Sequence, residues 1–255
     1  DEEMKQLTQW MVKQKQTQAW QSTPGTMMAI ARMLSAANDM FDISAAKPQI
    51  KVGKVKVDSE KADLGTAYIK QVWEKRDIKK DMDKVDVKKD NDNLSYGALY
   101  WQYYEDLDKI TANKTELNVE KELYKKVINE SGQTRLEPIT ANSPLAVNDK
   151  VTVRLVVRVD RDMDFVHLKD MRGSCFEPIN TISQMRWGSG ASYYMETRDA
   201  STNFYFDHIA KGTYVFEYDV YANRQGIYSN GITTIQALYA PEFVSHTAGI
   251  SVEVK

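Results

Sequence analysis

The stretch Lys211–Phe243 constrains the fold more than any other part of the chain. Within it, Tyr214, Phe216, Tyr218 and Val220 alternate with Val215, Glu217 and Asp219. A period of two is the signature of a β-strand, here one with an aromatic face to bury. Gly212 precedes this run and Gly226 follows it, and a second run from Gly231 to Tyr239 ends at Ala240-Pro241. The two runs read as neighbouring strands of a sandwich. Upstream, Val151, Val153, Leu155, Val157 and Val159 share one parity and face inward, with Arg154 and Arg158 outward. Asn148-Asp149 supplies the turn before them. Strands at regular spacing with Gly and Asn turns indicate an antiparallel sandwich over residues 112–255, long enough for a proper core.

The first part of the chain follows other periods. Met4, Leu7, Trp10 and Met11 form one helical stripe. Thr23-Pro24 reads as an N-cap followed by proline at the first helical position. A second helix then buries Met27, Ile30, Ala31 and Leu34, and the pair forms an antiparallel hairpin. From Lys47 the pattern turns to strands. Ile50 and Val52 share one parity and Val55 and Val57 the other, with Gly53 at the switch as a bulge or bend. Thr66–Glu74 and Met82–Lys88 read as further strands, with Lys75–Lys80 and Lys88–Asn93 as solvated turns. Leu94–Tyr104 is aromatic on both parities, which predicts a central strand buried on both faces. The expected organisation is mainly β: a helical hairpin over 1–41, a partial β-unit over 42–111, and an antiparallel β-sandwich over 112–255.

Composition narrows the functional classes. The chain has 255 residues, 42% hydrophobic and 27% charged, which is ordinary for a soluble globular protein. A net charge of −2 gives no electrostatic case for nucleic acid or an anionic membrane. No apolar stretch approaches the roughly 20 residues needed to span a bilayer. A single cysteine, Cys175, excludes an internal disulfide framework. The absence of an initiator Met at Asp1 and the strand-like end at Ile250–Val254 lead us to expect the C-terminal piece of a longer protein.

Candidate chemistry is sparse. Cys175 has no base beside it except His167, eight positions away, and reads as a small, half-buried hydrophobe. His167, His208 and His246 share no metal-ligand spacing, and the first two fall in strand-like runs. Asp160, Asp162 and Asp164 alternate and line one face of a strand end or turn, and Asp90-Asn91-Asp92-Asn93 is a second acidic cluster. Neither supplies the Gly and bidentate Glu of a calcium loop, so both read as solvated turns. Phosphate-binding glycine loops and nucleophile elbows are absent. Trp101, Tyr103 and Tyr104 read as core. Trp187, with Tyr193 and Tyr194 nearby in sequence and in a Gly-rich stretch with Gly188-Ser189-Gly190, is the best single candidate for an interaction residue. The expectation is a non-catalytic chain with no cofactor and no metal.

The wording of several segments resembles one family. Gly212-Thr213-Tyr214-Val215-Phe216-Glu217-Tyr218, the Gly-rich turn, and Gln236-Ala237-Leu238-Tyr239-Ala240-Pro241-Glu242-Phe243 look like the C-terminal domain of bacterial alpha-2-macroglobulin-like proteins. Asp160 to Val166 and Phe176-Glu177-Pro178 resemble the same domain, and Gly97 to Glu105 is a third likeness. Trp10 and Gln18 to Thr23 resemble the end of that family's helical thioester-bearing domain. The resemblance implies that the hairpin is the last pair of an α/α toroid and that 42–111 is the second half of a CUB-like sandwich. It implies a scaffold role in an envelope protein of the periplasm or cell surface that traps proteases, with upstream domains of the same parent as partners and proteases met through the full-length protein. The family's thioester motif is Cys, any residue, Glu, Gln. Here Cys175-Phe176-Glu177-Pro178 ends in proline, which has no side-chain amide, so no thioester forms at this place. A carbohydrate-binding or adhesive sandwich of the cell envelope is the competing reading; exposed coplanar aromatics around Trp187 would favour it.

Overall fold

The computed structural model describes residues 2–20, 22–36, 48–59, 62, 68–90, 97–140 and 144–255. The chain groups into two compact units, Asp1–Lys13 with Trp20–Ala98, and Gln14–Ala19 with Leu99–Lys255. The boundary expected between residues 41 and 42 falls outside the described residues, as do the cluster at 91–93 and the first parts of the runs at 66–74 and 94–104.

α1 spans Glu2–Thr17, of which the residues up to Lys13 belong to the first unit, and α2 spans Thr23–Ala36 within that unit. Glu2 and Glu3 in the first turn of α1 and Lys15 in its last complement the helix dipole. The cap of α2 is Ser22, one residue earlier than expected. Its Oγ accepts the Gly25 N–H at 3.1 Å, which satisfies one of the free donors of the first turn. The covered stripes also differ from the expected ones. Met4, Met11 and Val12 are half-buried and Thr8 is buried on α1; Thr26, Ala29, Arg32 and Met33 are half-buried on α2. Leu7, Trp10, Met27, Ile30 and Leu34 are exposed. Among the described residues these apolar side chains of both helices stay uncovered.

Three short antiparallel strands follow, β1 (Gln49–Val52), β2 (Val55–Lys56) and β3 (Val85–Lys88), in the order β2-β1-β3. Gly53 lies in the two-residue loop of the β1–β2 hairpin, since Val52 pairs with Val55. Its φ is +57°, and a Cβ there would stand 2.7 Å from the Asp81 carbonyl oxygen, so glycine is required on both counts. Val52, Val57 and Met82 form a small core with Ile50, Ile69 and Trp73 against it. Of the run Met82–Lys88 only its last four residues are strand, because Lys80–Asp83 closes a 3-10 turn. Residues 68–74 form no strand. Neither do 97–106: Tyr100, Trp101, Tyr103 and Tyr104 are exposed, so the expected doubly buried strand is not there. Aromatic content on both parities does not supply the apolar surroundings a central strand needs.

The second unit is the sandwich. It comprises β4 (Leu117–Ile128), β5 (Thr134–Pro138), β6 (Lys150–Val159), β7 (Met163–Met171), β8 (Phe176–Pro178), β9 (Gln184–Gly188), β10 (Ala191–Arg198), β11 (Ser201–Ile209), β12 (Gly212–Ala222), β13 (Gly226–Ser229), β14 (Thr233–Ala237), β15 (Ala240–His246) and β16 (Ser251–Val254). One sheet has the order β15-β14-β7-β11-β10-β9 and the other β5-β4-β6-β12-β8, with β13 and β16 as a separate pair. The aromatic run of β12 and the run from Gly231 to Tyr239 are therefore not neighbouring strands as expected: β12 and β14 lie in different sheets.

Alternation works as expected in β6 and β12. Val151, Leu155 and Val157 are fully buried, with Val153 and Val159 nearly so. Opposite them in register stand Val220, Tyr218, Phe216 and Tyr214 of β12. Across the gap between sheets, Phe216 packs its ring against Tyr193, Phe204 and Phe206 at centroid distances of 5.0, 5.8 and 5.3 Å. Such aromatic clusters add to the area they bury by their offset and edge contacts. On the outer face, Arg154 joins Glu217 at 2.6 Å and lies over the Tyr124 ring, and Arg158 joins Glu120 at 2.9 Å.

Candidate functional site

The most unusual chemistry lies inside the sandwich. In β4 the inward parity reads Leu117, Val119, Lys121, Leu123, and in β7 it reads Val166, Leu168, Asp170. A lysine and an aspartate thus stand where the pattern calls for apolar residues. Their side chains are 1% and 0% exposed, and Lys121 Nζ meets Asp170 Oδ1 at 2.6 Å across the two sheets. The remaining capacity is filled as burial of charge demands. Tyr218 Oη donates to Asp170 Oδ2, Thr233 Oγ1 donates to Oδ1, and Lys121 Nζ also donates to the Met171 carbonyl at 2.9 Å. Burial first, and then the Asp170 carboxylate that its hydroxyl must face, pushes the Tyr218 phenol well above its ordinary range. Beside this group, Arg172 is 7% exposed and donates to Thr202 Oγ1 and to the Arg198 and Asp199 carbonyls. The Lys121 and Asp170 side chains are closed to solvent, and the cluster ties four strands of two sheets together. The parity break was visible in the sequence at Lys121 and Asp170, yet the partners were not, because they lie about fifty residues apart along the chain.

The residues singled out in sequence take other places. Cys175 is fully buried, and burial pushes its thiol up to about 11, so it is neither an exposed nor an ionised nucleophile. His167 stacks on Tyr205 with centroids 4.6 Å apart and its Nε2 faces Asn203 Oδ1 at 3.1 Å. Burial lowers its pKa below the usual histidine value. His208 meets Asp164 at 2.7 Å, and His246 lies at the bridge to Asn113. The three are not brought together, and among the described residues no group of three or more His, Cys, Asp or Glu could hold a metal ion. Asp160, Asp162 and Asp164 act separately. Asp160 pairs with Arg161, Asp162 accepts the Lys211 N–H, and Asp164 accepts the Ala19 N–H as well as facing His208. Trp187 stands in β9 before the Ser189-Gly190 turn and is 75% exposed. It lies opposite Ser192 in register, which places it on the same outward face as exposed Tyr194, itself opposite Tyr205, while Tyr193 turns to the core.

A surface feature was missed. At the β14–β15 turn Leu238 and Tyr239 are exposed, and the Tyr239 ring meets Phe165 edge-on at 5.3 Å. Phe165 holds a φ of +56°, which is costly for a bulky residue, and its carbonyl accepts the Leu238 N–H at 2.9 Å. The strained backbone thereby fixes an apolar knob of three side chains on the surface.

The architecture is that of a macroglobulin-type β-sandwich, two antiparallel sheets around an aromatic core. Residues 117–242 match the family described as the bacterial alpha-2-macroglobulin MG10 domain. Over those residues the chain is similar to that domain of the bacterial alpha-2-macroglobulins. Among solved structures it is similar to Salmonella alpha-2-macroglobulin reacted with methylamine, at 18% identity and a TM-score of 0.44, over 57% of this chain and 10% of that one. It is also similar to native Escherichia coli alpha-2-macroglobulin from domain MG7 to the C-terminus, at 16% identity and 0.44, over 56% of this chain and 24% of that one. A third is trypsin-activated Escherichia coli alpha-2-macroglobulin, at 13% identity and 0.48, over 95% of this chain and 16% of that one. The chain thus spans between 10% and 24% of the length of these relatives. The search of curated proteins gives no match. No helix among the described residues is long and apolar enough to cross a membrane.

Proposed function

We propose that this chain is a non-catalytic scaffold of a bacterial macroglobulin-like, protease-trapping protein. The observation that carries the reading is the match of residues 117–242 to the MG10 domain. In this reading residues 1–41 close a helical toroid, 42–111 complete a CUB-like unit, and 112–255 pack on the upstream helical domain of the same parent, in the periplasm or at the cell surface. Two features support the packing role. The Phe165, Leu238 and Tyr239 knob is apolar and exposed on a rigid turn, and the helices leave Leu7, Trp10, Met27 and Ile30 uncovered. Exposed apolar groups of this kind mark contact surfaces. Proteases would be met by the parent protein as a whole, and this chain would contribute no nucleophile.

The test is association with the helical domain encoded upstream in the same gene, followed by sedimentation. Complex formation that is lost in Leu238→Ser/Tyr239→Ser supports the proposal. Absence of any complex, or a covalent adduct between this chain alone and an added protease, overturns it.

A further inference from the structure

The two sheets do not close on each other at the β9 side. β9 is the last strand of the six-stranded sheet, and β8 is the last strand of the other. β8 is only three residues long and pairs with Val220, Tyr221 and Ala222. The rest of β12 has β6 on one side and, among the described residues, no strand on the other. Two contacts show which groups face that open side. The Val215 N–H donates to Ser189 Oγ at 2.9 Å, and the Asp219 carbonyl accepts the Ile179 N–H at 3.2 Å. Alternate residues of an antiparallel strand direct their N–H and C=O to the same side. Glu217, midway between them, therefore directs both backbone groups into the gap, where no described residue bonds them.

Behind this edge lies a cavity of about 150 Å³ lined by Arg186, Met195, Thr197, Thr202 and the Glu217–Asp219 stretch of β12. Arg186 pairs with Tyr193 in register, and Tyr193 faces the core, so Arg186 faces the interior side of β9. Its Nε and Nη2 are buried and have no partner. The carboxylates nearby are already engaged. Glu217 is held by Arg154 at 2.6 Å, and Asp219 by Lys126 at 2.8 Å, Lys150 at 3.1 Å and the Thr152 hydroxyl. The uncompensated charge of the seam is positive. A guanidinium with two free, adjacent N–H groups is the geometric complement of a carboxylate.

We propose that this seam binds an extended, acidic polypeptide segment. The segment adds as a strand to β12, pairing with the backbone of Glu217, and sets an inward Asp or Glu carboxylate on Arg186. Ser189 at one end and Ile179 at the other limit the slot to the length of Val215–Asp219. Backbone pairing supplies the affinity of such strand addition, and the pocket supplies the choice of side chain.

The probe is an acetylated, amidated heptapeptide, Ser-Thr-Val-Asp-Val-Thr-Ser, titrated into the isotopically labelled full chain and followed by NMR. The controls are the same peptide with Asn for Asp, and sodium acetate. Expected are saturable shifts confined to β9, β12 and the residues of the cavity, about tenfold weaker binding of the Asn peptide, and slowed exchange of the Glu217 amide. Arg186→Gln should remove the preference for Asp while leaving thermal unfolding and the exchange of the other β12 amides unchanged. Four results overturn the proposal: no saturation at millimolar peptide, equal binding of both peptides, binding without protection of the Glu217 amide, or acetate binding as tightly as the peptide.

Discussion

Replacing Lys121 by Met tests how the interior of the sandwich tolerates charge. At 2.6 Å and an effective dielectric near 20, the Lys121–Asp170 attraction is about 6 kcal/mol. Desolvating each ion offsets several kcal/mol of that, so the pair as a whole contributes little. Removing one member leaves the other's burial uncompensated, which costs about 3–5 kcal/mol. The structure orders the two single changes. After Lys121→Met, Asp170 keeps the Tyr218 and Thr233 hydroxyls, which places the cost near the lower end. After Asp170→Leu, Lys121 keeps only the Met171 carbonyl, and two hydroxyls lose their acceptor, which places it near the upper end. The double variant Lys121→Met/Asp170→Leu should cost much less than the sum, with a coupling of several kcal/mol. Native-state amide exchange of β6, β7 and β12 in the intact chain measures all three opening free energies. Additivity within about 0.5 kcal/mol would refute the reasoning, because it would mean the two charges do not meet in solution.

Three further outcomes concern the core, a buried histidine and the cysteine. Leu155→Ala should destabilise the sandwich by about 2–5 kcal/mol, and Arg154→Ala, on the outer face, by well under 1 kcal/mol in the same exchange measurement. His167 has a lowered folded pKa, so the unfolded chain binds the proton first as pH falls. Stability should be full above about 6.5 and decline below it toward the folded pKa, and His167→Phe should flatten that stretch of a pH-stability curve. Cys175, with its thiol held at about 11, should resist iodoacetamide at pH 8 in the folded chain and react once urea unfolds the sandwich.

The strands with clean alternation were legible in the sequence. β6 and β12 show it best, since every second side chain is apolar and the two lie in register with each other. The sheet assignment of β14 was not legible, because period two fixes which face a residue takes and says nothing of which strand lies beside it. Leu94–Tyr104 misled for a related reason: aromatic residues satisfy a strand pattern whether or not anything covers them, and Tyr103 and Tyr104 are uncovered here. The Ser22 cap was missed by one position because Ser22-Thr23 offers two hydroxyls and only geometry selects between them. The same limit hid the Lys121–Asp170 pair and the Arg186 cavity, which join residues distant along the chain.

The order of strands also sets a timetable. β7 pairs with β11 and β14, and β14 reaches it from more than sixty residues downstream, with Thr233 opposite Asp170. β6 must likewise wait for β12, whose Tyr214 lies opposite Val157. Contacts of such separation make assembly slow, because the entropy of closing each long loop is lost before the pairing that repays it. A ribosome that has released β4 to β11 has therefore delivered part of both sheets but neither of the strands that cover the free edges of β6 and β7. Until β12 and β14 emerge, β6 and β7 present long unpaired edges, so the nascent chain is at its most aggregation-prone late in synthesis, when it is nearly complete.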